Sequence, residues 1–221
     1  MSVELNFEKY FPFWKELSDE DKKYLSDNTS IRHFEKEQSV HSSMECSGVF
    51  IVKTGKLRLY MCSDEGKEVT LYRLSPGEMC MLSASCVLQS ITFDVFVDSE
   101  IATDCYMIPG AVFNKVAENV PAMKIFALEA AVSRFSDVMW VMQQIVFMNQ
   151  DKRLAIFLLE EVDSKEEKII TLTHEQIARH LGTAREVVSR MLKHLASDGI
   201  LEVTRKGINI IDIKKLRNIA Y

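Results

Sequence analysis

The stretch THEQIARHLGTAREVVSRMLKHLASDGIL, residues 173–201, predicts two helices joined by a tight turn. Thr173, followed three residues later by Gln176, has the spacing of a capping box, in which two side chains satisfy backbone N–H groups at a helix start. Gly182 stands where a left-handed residue would end this helix, and Ala178 is small enough for a second helix to cross closely. The pattern indicates a helix-turn-helix whose shared core contains Ile177, Leu181, Val188 and Met191.

The second helix carries polar side chains opposite this core, and we predict that they read DNA. In a helix-turn-helix, the N-terminal part of the second helix faces base edges in the major groove. Arginine can donate two hydrogen bonds to guanine, and glutamate can accept one from the cytosine amino group. The predicted base-reading residues are Arg185, Glu186, Ser189 and Arg190. The predicted contacts to the DNA backbone are Thr173, His174, Lys193, Arg205 and Lys206.

The charge distribution and a following hairpin favour DNA binding over an ordinary charged helix surface. The whole chain has a net charge of −5, but residues 150–221 hold 13 Lys+Arg against 11 Asp+Glu. The C-terminal third is therefore mildly basic, as contact with phosphates requires. Residues 200–203 and 208–211 predict a β-hairpin with a basic tip, which would form a wing beside the DNA backbone.

Residues 31–109 have a different pattern, with short apolar runs separated by turn signals. Residues 49–60 predict a hairpin in which Gly55 supplies a positive φ, and further turns fall at residues 64–67 and 75–77. Repeated short strands of this kind predict an antiparallel β-barrel or jelly roll. Before the strands, Ser18 and Asp21 predict the start of a short capped helix.

After Pro121 the pattern changes to one long helix with apolar residues at alternating steps of three and four. Such a seam is typical of helices that pair, so we expect a homodimer. A buried helix of a single chain is the alternative. The predicted dimer seam consists of Leu128, Ala131, Phe135, Val138, Met142 and Ile145.

The predicted fold is therefore α+β with three parts. Residues 1–120 form an antiparallel β-barrel or jelly roll, residues 121–148 a dimerisation helix, and residues 149–221 a winged helix-turn-helix domain, whose first helix we expect Asp151 to cap. The N-terminus lacks the basic start and apolar core of a signal peptide, so we expect a cytoplasmic protein without membrane contact. The five cysteines form no CxxC pair and are expected to be reduced.

The order of these parts resembles the Crp/Fnr family of bacterial regulators along nearly the whole chain. The run of residues 186–190, EVVSR, is similar to the E-x-x-S-R pattern of the Fnr branch rather than to the Glu-Thr-Val-Gly-Arg of the cyclic-AMP branch. The resemblance implies a barrel like a cyclic-nucleotide-binding domain and contact with RNA polymerase. It also implies that Glu186, Ser189 and Arg190 read a TTGAT-like half-site, within a palindrome that a two-fold dimer would require.

The resemblance raises the question of what the barrel senses. Gly77, Glu78 and Met79 look like the start of the family's phosphate cassette, which normally ends with an arginine that pairs with the cyclic phosphate. No basic residue lies between Gly77 and Lys115, so cyclic AMP and cyclic GMP are disfavoured. An iron–sulfur cluster is disfavoured because the family's N-terminal cysteine group is missing and the first cysteine is Cys46.

Haem, a redox thiol and a small apolar effector stay open. Residues 77–83 look like the matching segment of carbon-monoxide-sensing haem regulators, with Cys80 at the place of the cysteine and Leu82 where a histidine is expected. Cys80 or Cys86 could serve as a thiolate, or simply as a small buried residue. The neighbouring residues offer an apolar lining but no charged clamp for a ligand. The predicted effector pocket consists of Gly77, Glu78, Met79, Cys80, Met81, Ser83, Ser90, Phe135 and Met139.

Two other classes of function compete with this prediction. A cupin-like metalloenzyme would need a His-x-His motif, whereas the barrel has only His33 and His41, so we expect neither catalysis nor a metal site. A ligand-binding dimer without DNA binding is the second alternative. Salt-dependent binding to duplex DNA separates it from a regulator, because phosphate contacts weaken as salt rises.

Overall fold

A computed structural model describes residues 7–42, 48–80, 94–163 and 169–221 of the 221-residue chain. The chain forms two compact units. The first contains residues 1–62 and 71–138, and the second contains residues 63–70 and 139–221. No helix in these described ranges is long and apolar enough to cross a membrane.

The first unit is built on two four-stranded antiparallel sheets. Its strands are β1 (Ser30–Phe34), β2 (Ser39–His41), β3 (Val49–Thr54), β4 (Leu57–Cys62), β5 (Glu68–Leu74), β6 (Met79–Cys80), β7 (Phe96–Ser99) and β8 (Thr103–Ile108). One sheet has the order β1-β8-β3-β6 and the other β2-β7-β4-β5. A buried cluster takes residues from both sheets, including Phe50 and Cys105 from the first and Leu59 and Val97 from the second. The predicted fold class is confirmed.

The predicted hairpin at residues 49–60 is wrong in its pairing. β3 pairs with β8 and β6, whereas β4 pairs with β7, so the chain passes from one sheet to the other at this turn. Gly55 does have a positive φ of 90°. A side chain there would collide with Thr103, whose Oγ1 accepts a hydrogen bond from the backbone N–H of Lys56 at 3.0 Å. The glycine therefore permits a close approach to β8 as well as the turn.

Helices cover a second cluster in this unit. Helix α1 (Asp19–Asp27) begins as predicted, because the Ser18 side chain accepts a hydrogen bond from the Asp21 backbone N–H. Helix α2 (Gly110–Asn119) follows the last strand. The cluster joins aromatic residues near the N-terminus to apolar residues of β3 and α2, among them Phe7, Phe11, Ile51 and Phe113.

Helix α3 runs over 27 residues, Pro121–Phe147, as one uninterrupted α-helix. Proline suits the first position of a helix because its missing N–H has no partner there in any case. The helix ends just before Asn149, whose Oδ1 accepts from the Lys152 backbone N–H at 2.8 Å. Asn149 is therefore the N-cap of helix α4 (Gln150–Asp163). The prediction that Asp151 caps this helix is wrong, because Asp151 lies two residues further on, inside the first turn.

The second unit also contains α5 (His174–Leu181), α6 (Arg185–Ser197), α7 (Ile213–Ala220) and a three-stranded sheet. Its strands are β9 (Ile169–Ile170), β10 (Leu201–Thr204) and β11 (Gly207–Ile210), in the order β10-β11-β9. One apolar cluster, from Leu154 to Ala220, joins all four helices and the sheet. This continuous core packs α6 together with the hairpin that follows it.

Candidate nucleic-acid interface

The capping box and the glycine turn set the start and the end of α5, as predicted. Thr173 Oγ1 accepts from the Gln176 backbone N–H at 3.2 Å, and the Thr173 backbone N–H donates to Gln176 Oε1 at 2.9 Å. Gly182 adopts the left-handed conformation with φ of 63°. The backbone N–H of Thr183 returns to the Ala178 carbonyl at 3.0 Å, so the turn closes on the helix end.

The predicted core between α5 and α6 is also present, since Ile177, Ala178, Leu181, Val188 and Met191 are all buried. Helix α6 begins at Arg185 without a side-chain cap. The tight packing of small and apolar residues leaves the opposite side of α6 free for polar groups.

One residue that stabilises this turn was not predicted from the sequence. Arg153 of α4 is buried, and its Nη2 donates to the Leu181 carbonyl oxygen at 2.5 Å. Burial lowers the pKa of its guanidinium. A cation suits the C-terminal end of a helix because the carbonyl groups there lack helical partners. No local pattern in the sequence signals this contact, because it joins residues 28 positions apart.

The predicted base-reading residues share one exposed, concave surface on α6. It is lined by Arg185, Glu186, Ser189, Arg190 and Lys193, and encloses about 450 Å³. We call it the recognition face. Three cations surround one carboxylate and one hydroxyl, so the surface combines attraction to phosphate with groups that can distinguish base edges. Lys193, predicted to contact the DNA backbone, lies here among the predicted base-reading residues.

A second concavity of about 550 Å³ lies between the start of α5, the start of α6 and the β10–β11 hairpin. We call it the wing groove. It brings together the other predicted backbone contacts, Thr173, His174, Arg205 and Lys206, and it includes Arg185. At the hairpin turn, Thr204 Oγ1 donates to the Gly207 carbonyl at 3.0 Å and accepts from the Lys206 backbone N–H at 3.1 Å. These two hydrogen bonds fix the backbone of the turn that carries the basic residues Arg205 and Lys206.

Two residues with separate predicted roles are in contact. The Nδ1 of His174, at the start of α5, lies 2.8 Å from the Ser189 hydroxyl oxygen on α6. Burial lowers the pKa of His174, and the nearby charge of Arg185 lowers it further. Both influences disfavour the protonated form of His174, and its contact with Ser189 was not indicated by the sequence.

The exposed residues of α3 form a seam that partly differs from the predicted one. Four residues of the predicted seam are exposed, Phe135 by 63%; they are Leu128, Phe135, Met142 and Ile145. Val138 of that seam is instead half-buried against the sheet cluster. The exposed apolar residues that continue a regular spacing of three and four are Ile125, Leu128, Val132, Phe135, Met139, Met142 and Val146.

The barrel surroundings of Glu78 contain a charge that the sequence prediction missed. Arg134 of α3 donates to Glu78 Oε1 and to Asp137 Oδ2, both at 3.0 Å, and its guanidinium lies 5.0 Å from the Tyr72 ring centre. A cation therefore lies beside Glu78, where the sequence indicated no charged clamp. The cation comes from a helix 56 residues away in the chain, which no local pattern could indicate.

The other predicted pocket residues are described only in part. Met79 and Cys80 are buried, and Glu78 Oε2 accepts from the Ser75 backbone N–H at 2.7 Å, which closes the turn at Gly77. Met81, Ser83, Ser90 and the candidate thiol Cys86 lie outside the described residues. Nearby, the Tyr72 hydroxyl is buried without a hydrogen-bond partner in the described part of the chain, and burial raises its pKa.

The described cysteines and acidic residues form no metal site. Within the described ranges, no group of three or more His, Cys, Asp or Glu side chains could hold a metal ion. Cys80 and Cys105 are both buried, and burial raises the pKa of the Cys105 thiol to about 12. A thiol with so high a pKa is a poor nucleophile at neutral pH, because only the thiolate reacts readily.

Comparison with known proteins agrees with this architecture. Residues 31–120 match the family model of the cyclic nucleotide-binding domain, and residues 152–219 match that of the Crp-like helix-turn-helix domain. A transcriptional regulator, flp, from Lacticaseibacillus casei is 24% identical over 95% of this chain and 96% of its own. The structure of FixK2 from Bradyrhizobium japonicum has the same fold, with a TM-score of 0.70 at 19% identity over 87% of this chain and 98% of its own.

A more similar structure extends over almost the whole chain. It is that of a protein from Eubacterium rectale, described as a transcriptional regulator of the Crp/Fnr family. It is 42% identical and has a TM-score of 0.91, covering 96% of this chain and 98% of its own. With two matching domains in the same order and a relative this similar, the chain belongs to the Crp/Fnr family of transcriptional regulators.

Proposed function

We propose that this regulator binds a palindromic, TTGAT-like DNA site as a homodimer. The observation that carries the proposal is the recognition face, where Arg185, Glu186, Ser189 and Arg190 share one exposed concave surface. Arginine supplies donors for guanine, and Glu186 supplies an acceptor for the cytosine amino group. The wing groove beside it provides Arg205 and Lys206 for the phosphates. Such a protein works where bacterial DNA lies, in the cytoplasm.

The exposed seam of α3 supports the homodimer. Its seven apolar residues repeat at alternating steps of three and four along the helix, which is the pattern of a two-stranded coiled coil. A second copy of α3 would bury large side chains such as Phe135 and Met142 that the single chain leaves exposed. Two-fold pairing of the helices also matches a palindromic site, because each copy reads one half.

The barrel is the proposed sensory part, and its residues do not fit a cyclic nucleotide. Both carboxylate oxygens of Glu78 are engaged, one by Arg134 and one by the Ser75 backbone N–H. The sequence between Gly77 and Lys115 contains no arginine or lysine for a cyclic phosphate. We therefore propose another small effector in a barrel of residues 1–120, with haem or thiol chemistry at Cys80 as the alternative. The dimerisation helix is residues 121–148 and the DNA-binding domain residues 149–221; the family suggests RNA polymerase as a further partner.

The test is binding of the full chain to a labelled palindromic duplex and to a scrambled duplex of equal composition, over a range of salt. We expect tighter binding to the palindrome, with two chains per duplex in sedimentation. Arg190→Ala should remove about 1–3 kcal/mol of discrimination, or about 5- to 150-fold in the affinity ratio, because one base contact is lost. Arg217→Ala, which removes an exposed arginine of α7 outside the recognition face, is the matched control.

Two results would contradict the proposal. Equal affinity of the unchanged protein for both duplexes would exclude sequence-specific binding. Full discrimination by Arg190→Ala would exclude that residue from base reading. Absence of any salt-dependent binding would instead favour a ligand-binding dimer without DNA contact.

A further inference from the structure

The contact between His174 and Ser189 joins the wing groove to the recognition face. His174 is the first residue of α5, directly after the capping residue Thr173. Its Nδ1 lies 2.8 Å from Ser189 Oγ, which lines the recognition face. Both side chains are half-buried, so this hydrogen bond is partly shielded from water. His174 of α5 thus contacts Ser189, a proposed base-reading residue of α6, directly.

A serine hydroxyl has one proton and two lone pairs, so the direction of its proton decides what it can offer to DNA. If Ser189 donates to Nδ1, its remaining lone pairs can only accept. If His174 donates from Nδ1, the Ser189 proton is free to donate to a base. The imidazole therefore sets whether Ser189 reads a base as an acceptor or as a donor.

The surroundings favour a neutral imidazole. Burial and the charge of Arg185 on α6 lower the pKa of His174 below its ordinary value. The other charged groups that line the wing groove are Glu175 on α5 itself and Arg205 and Lys206 on the hairpin. Three cations and one carboxylate make this groove unfavourable for an additional positive charge in the free protein. A neutral imidazole carries one proton, which leaves one of its nitrogens as an acceptor.

We propose that His174 is a positioning residue for base recognition: its Nδ1 accepts the Ser189 proton, so that Ser189 presents only lone pairs to DNA and selects a base amino group. In the major groove, these amino groups belong to cytosine and adenine. The inference rests on the proposed DNA-binding function and adds to it the means by which one base preference is set. Nε2 carries the imidazole proton in this arrangement.

Protonation of His174 reverses the arrangement. With a proton taken from solvent, both ring nitrogens are donors, so Nδ1–H donates to Ser189 Oγ. The Ser189 hydroxyl is then free to donate outward, and its preference for an amino group is lost. The new charge also attracts phosphates, so affinity for all sequences rises as selectivity at this base pair falls. The preference should therefore be present at high pH and decline as the pH falls through the lowered pKa.

The experiment measures the affinity of the full chain for every single-base variant of the half-site, at constant ionic strength, from about pH 8 to about pH 5.5. Ser189→Ala identifies the base pair that Ser189 reads. In His174→Gln the amide extends beyond the position of Nδ1 and no longer accepts from Ser189. Discrimination at that base pair should fall by about fivefold, and discrimination at the other base pairs should change little. The double variant should lose no more discrimination than Ser189→Ala alone, because both substitutions remove the same interaction.

Two further variants make the test independent of general damage to the fold. His174→Asn places a side-chain oxygen close to the position of Nδ1 and cannot be protonated in this pH range. It should keep the discrimination and abolish its pH dependence. His194→Asn removes an exposed histidine at the far end of α6, and it should leave both unchanged.

Other outcomes overturn the inference. An equal loss of affinity for all half-site variants in His174→Gln, with a smaller salt dependence, would make His174 a phosphate contact only. Discrimination that does not change with pH in the unchanged protein would exclude the switch. If His174→Gln does not fold, pH-dependent discrimination in a folded His174→Asn variant would overturn the inference equally well. No sequence preference in the unchanged protein would reject the proposed function itself, and this inference with it.

Discussion

The two units of the molecule bring their charged and polar side chains together in different ways. In the helix-turn-helix unit, the recognition face comes from one helix, and even the contact between His174 and Ser189 spans only 15 residues. In the barrel unit, Arg134 meets Glu78 from 56 residues away, and His33 meets Asp104 from 71 residues away. Local motifs can therefore reveal the first surface, whereas the second exists only after strands and helices have assembled.

The largest expected loss of stability comes from substitutions in the two apolar cores, which test whether the two units are stabilised separately. Phe113 and Leu192 are fully buried in different apolar clusters, the first among residues 7–127 and the second among residues 154–220. We expect Phe113→Ala to destabilise the barrel unit by about 3–5 kcal/mol and Leu192→Ala the helix-turn-helix unit by about 2–5 kcal/mol, because each leaves a cavity. Hydrogen exchange measured by mass spectrometry should show lost protection confined to the substituted unit. Equal loss in both units for either variant would contradict separate cores.

A smaller effect should follow from breaking the long-range cluster in the barrel. Arg134→Met leaves Glu78 and Asp137 without their shared cation and removes the guanidinium from the Tyr72 ring. The pair is partly exposed, so we expect a loss of only about 1–2 kcal/mol in denaturant unfolding. Arg134→Lys keeps the charge but not the planar guanidinium that binds two carboxylates. Its stability should therefore lie between that of the unchanged protein and that of Arg134→Met. Unchanged stability in Arg134→Met would mean that the cluster is not structural.

The smallest effect concerns pH. A hydrogen bond of 2.7 Å from His33 Nδ1 to Asp104 raises the pKa of His33 and lowers the pKa of Asp104. The His33 contribution is complete below its ordinary pKa, about 6.5, and is lost as the pH rises through the raised value. The Asp104 contribution is complete above about 4 and is lost as the pH falls through the lowered value. The pair therefore stabilises the folded protein most at pH values between the lowered pKa of Asp104 and the raised pKa of His33.

His33→Asn should flatten the pH dependence of thermal unfolding between about pH 4 and about pH 8 by a small amount, because the pair lies at the surface. His194→Asn, which removes another exposed histidine, is the control. An equal change in both variants would show that the effect belongs to general surface charge and not to this pair.

Most residues of the recognition face and the wing groove could be named from the sequence, and the reasons are local. A capping box and a left-handed glycine are satisfied by neighbouring backbone groups, so Thr173, Gln176 and Gly182 act as expected wherever the unit is placed. The same holds for the short turn of the wing. Arg153 was missed because it contacts the end of α5 from a separate helix, and its place after the polar residues 150–152 looks like an ordinary polar helix start.

The barrel shows what local patterns cannot decide. Repeated short apolar runs with turn signals predicted antiparallel sheets. They could not show that β3 and β4 belong to different sheets, since a tight glycine turn can join strands of one sheet or of two. Similarly, two overlapping series of apolar residues on α3 have the same spacing. Only packing showed that Val138 faces the sheet cluster while Val132 and Met139 are exposed.

By itself, the sequence determined the helix-turn-helix, the long helix, the strand-rich N-terminal part and the polar residues of the recognition face, because each depends on spacing within one or two turns of chain. Only the tertiary structure decided which sheet each strand joins, which side of α3 stays exposed, and that Arg134 supplies the charge beside Glu78. It also decided that His174 contacts Ser189. These contacts depend on how separate elements pack, and packing energies are summed over partners that no single stretch of sequence contains.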